Sequence, residues 1–305
     1  MAEDFGLPLL EAARRAGVTI ADPREPQDRY ITLNGLRLHY LDWGGEGLPW
    51  MVCLHGRAQN AHMWDFAALA LCTRYRILAL DQRGHGDSQW AHDGDYSLEA
   101  QQKDLEAFVD ALNIDDMVLM GLSMGGRNAF VYASRHPERV RALVVAEAAP
   151  EIKPQGASRI LRFLTEADVL DSFDAFVQRN LRDNPRREEW MARGSLRHNL
   201  KRLPDGRWTW KYDPVFRRGP LRPPKDQAPL LWQAWQKVAC PVLLIRGAES
   251  DVISPEVAQR MQGMLLGRAR LVQVPHAGHL VTGDNPPAFE AALRAFLGEV
   301  EGTGA

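Results

Sequence analysis

The stretch Met117-Val-Leu-Met-Gly121-Leu-Ser123-Met-Gly125-Gly126 decides the fold. An apolar run of strand type, 117–120, leads straight into Gly-x-Ser-x-Gly, and a helical pattern reaching Arg135 follows at once. The pentapeptide alone is a weak signal; its context makes it strong. A strand that turns abruptly into a helix holds the central serine at strained backbone angles with its Oγ exposed. Side chains at positions 121 and 125 would collide across that turn, so glycine is needed at both. The bland alternative, a glycine-rich turn with an idle serine, fits the flanking strand and helix less well. Ser123 is the candidate nucleophile.

The same alternation continues on both sides. Short apolar runs at 50–54, 76–80, 142–145, 241–245 and 270–274 read as strands. Helical spacing separates them at 61–72, 97–112, 255–266 and 287–300. This is the signature of an α/β protein with a mostly parallel sheet and helices on both faces. A short helix at 9–16 and a hairpin, 30–33 with 36–42 across Asn34-Gly35, come first. The alternation stops over 151–237, which has helical spacing, no obvious buried strand, and prolines at 214, 220, 223 and 224. The expected organisation is an N-terminal extension, 1–29, a core of 30–150 and 238–300, and a helical cap inserted at 151–237.

Composition excludes several classes. Lys and Arg number 37 against 39 Asp and Glu, so the chain lacks the positive excess of a nucleic-acid binder. Cys53, Cys72 and Cys240 show neither disulfide nor zinc spacing, which points to a reducing compartment, the cytoplasm. The longest stretch without Asp, Glu, Lys or Arg is 271–283, and a membrane span needs about 20 apolar residues. Glu3 and Asp4 and the lack of an apolar region argue against a secretory signal. Charge is uneven: 151–237 carries a net +7 and the remainder −9. A basic insert docking on an acidic body is the simpler reading; a lid favouring anionic or aromatic substrates is the functional one. Oligomeric state has no signature here.

A serine needs a base, and the base an orienting acid. His279 follows the last strand in Pro275-His-Ala-Gly278-His279. His276 lies nearer the strand end, but Gly278 lets the loop bring His279 close. Asp251, in Arg246-Gly-Ala-Glu-Ser-Asp251 after the next-to-last strand, is the expected acid, with Glu249 and Glu147 as competitors. Glu147 follows the strand after the nucleophile. The oxyanion donors are expected to be the backbone N–H groups of Met124 and Arg57. The Arg57 side chain could also meet a substrate carboxylate. His55, Gly56, Trp64, Trp190 and Trp208 are the candidate substrate contacts.

Leu54-His-Gly56, Asp81-Gln-Arg-Gly-His-Gly-Asp-Ser88, Gly121-Leu-Ser-Met-Gly-Gly126, Arg246-Gly-Ala-Glu-Ser-Asp251 and Ala277-Gly-His279 occur in one order. In these motifs, over about 30–300, the chain resembles the α/β-hydrolase superfamily, in its lidded, epoxide-hydrolase-like branch. The resemblance implies an eight-stranded sheet, a helical cap and acyl-enzyme chemistry on a Ser123, His279, Asp251 triad. It gives the 81–88 loop a structural role. The chain departs from epoxide hydrolases and haloalkane dehalogenases, which carry Asp where Ser123 stands. What is expected is hydrolysis of small to medium carboxylic esters, with no organic cofactor, no metal, and neither nucleic acid nor membrane as partner. Carbon–carbon bond, lactone, thioester and perhydrolase chemistry, or ligand binding without turnover, remain open.

Overall fold

The structure is a computed structural model that describes residues 4–217 and 227–302. Of the four prolines at 214–224, Pro220, Pro223 and Pro224 lie outside the described residues, as does Glu3.

Helix α1 (Leu9–Arg15) precedes the hairpin of β1 (Gln27–Leu33) and β2 (Leu36–Asp42). Then come β3 (Trp50–Leu54), a 3₁₀ turn (Ala61–Trp64), α2 (Asp65–Leu71), β4 (Arg76–Leu80) and α3 (Leu98–Ala111). The elbow strand β5 (Met117–Leu122), α4 (Met124–Arg135) and β6 (Val140–Ala146) follow. The insert holds α5 (Pro154–Thr165), β7 (Val169–Leu170), α6 (Phe173–Asp183), α7 (Glu189–Asn199), β8 (Leu200–Arg202), β9 (Trp208–Trp210) and α8 (Gln227–Gln236). The chain returns through β10 (Val242–Gly247), α9 (Pro255–Met264), β11 (Ala269–Val274), α10 (Val281–Asp284) and α11 (Pro286–Gly302).

The main sheet has eight strands in the order β1-β2-β4-β3-β5-β6-β10-β11. β1 and β2 pair antiparallel, β2 meets β4 antiparallel, and the rest run parallel. All six residues of β5 are buried, because helices cover both faces. Met117 and Leu119 pack on one side with Phe108 and Phe130. Val118, Met120 and Leu122 pack on the other with Trp64 and Phe289. Two buried faces explain why the strand reads as a continuous apolar run rather than an alternating one.

The insert differs from its expected all-helical form. β7, β9 and β8 make a small antiparallel sheet, with Arg202 opposite Trp208 and Leu200 opposite Trp210. Strands of two or three residues are too short to show a period. The turn between them was visible as Pro204-Asp-Gly206, and Gly206 takes φ 90° there. This sheet packs its own aromatic cluster: Phe173 lies 5.5 Å from Trp208 and Phe176 5.0 Å from Trp210, centroid to centroid. Helix α8 belongs elsewhere. Trp235 is fully buried in the sheet core, 5.5 Å from Phe130, and donates to the Met261 carbonyl at 2.8 Å.

Charge pairs tie insert to core. Arg159 on α5 grips Asp251 with two bonds, 2.6 and 2.9 Å. Arg186 holds Glu249 at 2.6 and 2.8 Å, and Lys211 holds Asp87 at 2.8 Å. The positive excess of the insert is thus spent partly on the acidic body. Burial pushes the Asp251 carboxyl up, but the Arg159 guanidinium outweighs it and holds it below the usual carboxylate range. A depressed native pKa adds stability above the unfolded value, about 3.9, and loses it as pH falls through the native one. Asp251→Asn should therefore lower Tm by a constant amount between pH 5 and 8. The difference should shrink below about pH 4, as thermal melts across pH would read.

Candidate active site

Ser123 sits at φ 54° and ψ −112°, between β5 and α4. A non-glycine residue there costs on the order of 1–3 kcal/mol and persists only when its surroundings impose it. They do. A Cβ on Gly121 would stand 2.3 Å from the Gly125 carbonyl oxygen, and one on Gly125 would stand 2.2 Å from the Leu54 oxygen. The Ser123 N–H donates to Ala146 at 3.0 Å and the Gly125 N–H to His55 at 3.1 Å, which locks the turn to β6 and β3.

His279 comes from the loop after β11. Its Nε2 stands 3.1 Å from Ser123 Oγ. The loop is set by the Gly278 N–H donating to Asp284 at 2.9 Å and the Asn285 amide donating to the Pro275 carbonyl at 2.8 Å. His276, the competing base, is exposed on the far side of the turn.

The carboxylate that meets the ring is that of Glu147, where Asp251 was expected. Glu147 Oε2 lies 3.0 Å from His279 Nδ1. The same oxygen accepts from Ser250 Oγ at 2.7 Å, and Oε1 accepts from the Gly247 N–H at 2.7 Å. Three donors compensate a carboxylate with no solvent exposure. A φ of 49° at Glu147 swings its side chain from the end of β6 across β10. Asp251 is turned instead to Arg159, with both oxygens occupied. Glu249 is at the surface with Arg186. The sequence did carry a signal for Glu147: it is the one charged residue in the apolar run 142–150. A lone carboxylate after a buried strand requires built partners.

Met124 follows the serine at the start of α4, and among the described residues neither its backbone N–H nor that of Arg57 has a protein acceptor. Both residues line a cavity at Ser123. Gly56 lines a second, smaller cavity that also reaches Ser123. A Cβ there would meet Gln59 Oε1 at 2.5 Å.

The other expected contacts stand away from the nucleophile. His55 is fully buried, and its Nε2 accepts from the Gln82 N–H at 2.9 Å, so it braces the loop. Trp64 faces the sheet core against Phe289. Trp190 lines a separate crevice under α1, near Arg15. Trp208 is packed between Phe5 and Phe173. Trp210, two residues on and with the same strand-face parity as Trp208, does reach the cavity. Asp81 organises its loop, accepting from His39 at 2.7 Å, Ala61 at 2.6 Å and Asp87 at 2.9 Å.

Two cavities meet at Ser123. One, of about 140 Å³, is lined by His279, Leu280, Ile160, Phe163 and Trp210. The other, of about 360 Å³, is lined by Met124, Arg127, Tyr96, Ile152, Phe216 and Leu231. Among the described residues, His62, Asp65 and His198, and His39, Asp81 and Asp87, are grouped closely enough to hold a metal ion. Neither group includes Ser123 or His279, and Arg197 donates to the His198 ring at 2.7 Å.

A serine poised on a strand-to-helix elbow, facing an imidazole braced by a buried carboxylate at the edge of a parallel sheet, defines a hydrolase fold. The chain belongs to the α/β-hydrolase fold family, whose model matches residues 49–286. It is similar to an esterase of Mycobacterium tuberculosis, with 28% identity over 97% of this chain and 96% of that one. A 3-hydroxybutyrate-oligomer hydrolase of Cupriavidus necator is 29% identical over 91% of this chain and 99% of that one. The crystal structure of an α/β hydrolase from Novosphingobium aromaticivorans superposes with a TM-score of 0.79 at 28% identity, covering 90% of this chain and 99% of that one.

The two acids separate cleanly by substitution. Glu147→Gln should lower ester turnover about a thousand-fold or more, because the amide cannot stabilise the imidazolium. Asp251→Asn should change it by less than about ten-fold, the loss of a peripheral contact. Steady-state kinetics on an activated ester would measure both.

Proposed function

We infer that the protein is a serine hydrolase that cleaves carboxylic esters of small to medium size through an acyl-enzyme. The observation that carries this reading is the chain of contacts Ser123 Oγ, His279, Glu147, at 3.1 and 3.0 Å. Similarity to an esterase along nearly the whole chain supports it.

Ser123 Oγ attacks the ester carbonyl carbon while His279 Nε2 takes its proton. Glu147 balances the imidazolium and keeps Nδ1–H directed at itself. The carbonyl oxygen, now negative, receives the Met124 and Arg57 N–H groups. The carbon–oxygen bond to the alcohol breaks, and His279 returns the proton to the leaving oxygen. Water then attacks the acyl-enzyme with His279 as base, and the carboxylic acid and free Ser123 result. The 151–237 insert acts as a cap, closing both cavities over the nucleophile.

A basic insert with five tryptophans would suit carbon–carbon cleavage of an anionic, conjugated substrate. Arg159, Arg186 and Lys211 are paired with core acids, and Trp190 and Trp208 are remote from Ser123. Ester cleavage is therefore the reading kept. Among the described residues no helix is long and apolar enough to cross a membrane. The three cysteines are free and buried, which suits the cytoplasm.

A series of p-nitrophenyl esters from acetate to dodecanoate tests the function. Turnover should peak at short or medium chains and fall in Ser123→Ala by about a thousand-fold or more. Undiminished hydrolysis by Ser123→Ala would remove the mechanism.

A further inference from the structure

Two arginines beside the nucleophile have no acid. Arg57 makes no side-chain hydrogen bond or ion pair among the described residues; its guanidinium has only the Phe216 ring, 5.6 Å away. Arg127 spends Nε on the Ala149 carbonyl at 3.0 Å and nothing else. Both line the larger cavity at Ser123, which Arg127 borders alone and Arg57 shares with the smaller one. Burial pushes both below the usual arginine value, Arg127 to about 10, and Arg57 adds repulsion to that shift.

Arginines elsewhere are placed against an acid or several carbonyls, even where, as in Arg179, Arg187 and Arg217, a nitrogen is left without a partner. Arg83 pairs with Asp104, and Arg246 donates to the carbonyls of Ile253, Ala248 and Ser250 and to Gln273. The acids near the cavity are taken: Glu147 by three donors, Asp251 by Arg159, Asp213 by Tyr96. Arg127 also stands in the first turn of α4, where the helix dipole disfavours a cation. Neither half-buried guanidinium has an acid to balance it there, and a charge withdrawn from water without one is costly.

We propose that Arg57 and Arg127 form a carboxylate subsite, so that the substrate is an anionic ester whose free carboxylate they grip. The side of the scissile bond follows from the mechanism just inferred, on which this proposal rests. The leaving alcohol takes its proton from His279, so it lies in the smaller cavity that His279 lines. The acyl group lies in the larger one, with Met124 and Arg127. The carboxylate is therefore on the acyl side, and the substrate class is half-esters of dicarboxylic acids. Two guanidiniums suit a planar carboxylate because each offers paired N–H donors.

Two p-nitrophenyl esters that differ in charge test this: mono-p-nitrophenyl glutarate and its neutral methyl ester. The wild type should prefer the half-ester by about 10- to 100-fold in kcat/KM, chiefly through KM. Arg127→Met should bring the ratio near one, and Arg127→Lys should restore part of it. Equal use of both esters by the wild type overturns the subsite and leaves ester hydrolysis standing. A second measurement needs no turnover. Glutarate should raise the Tm of Ser123→Ala but not of Ser123→Ala combined with Arg127→Met or with Arg57→Met, at matched ionic strength. Sulfate giving the same rise as glutarate would overturn the carboxylate assignment. A glutarate shift without turnover of any ester would overturn the hydrolase reading and keep the subsite.

Discussion

The contact between the first turn of α4 and the end of β3 governs the site. Gly125 sits so close to the Leu54 carbonyl that no side chain fits. Gly121 stands equally close to Gly125. These approaches force the chain to reverse at Ser123 with a positive φ. The oxygen is then lifted out of the sheet, and the α4 N–H groups face the same space. Exposure of the proposed nucleophile and one proposed oxyanion donor thus come from a single steric constraint.

The second theme is how the fold disposes of charge. Two carboxylates that face the interior near the site are fully engaged: Glu147 by Gly247, Ser250 and His279, and Asp81 by His39 and two backbone N–H groups. Pairs such as Arg159 with Asp251 join insert to core at partial exposure, where each is worth about 1 kcal/mol or less. The insert is held mainly by apolar packing, with these pairs fixing its position. Against this background the unpaired Arg57 and Arg127 stand out as charges whose partner arrives with the substrate.

Much of this was legible in the sequence. The elbow was readable because strand, glycine spacing and helix are all local. The hairpin was readable from Asn34-Gly35, and the approach of the His279 ring to Ser123 from Gly278-His279. The acid was harder. β6 and β10 are neighbours in the sheet, so the loops after both open onto the same corner beside β11. Chain order cannot separate Glu147 from Asp251. What separates them is Arg159, 92 residues before Asp251, which draws that carboxylate into the insert. The tryptophans failed for a related reason: alternation tells which residues share a face, but not whether that face meets a cavity or a ring such as Phe173.

The bond from His279 Nδ1 to Glu147 is the most direct point of attack on this account. Proton NMR near neutral pH should show a strongly deshielded Nδ1–H resonance assigned to His279 by its absence in His279→Ala. That resonance should shift or vanish in Glu147→Gln and persist in Asp251→Asn. Persistence in Glu147→Gln with loss in Asp251→Asn would contradict the account and return the orienting role to Asp251.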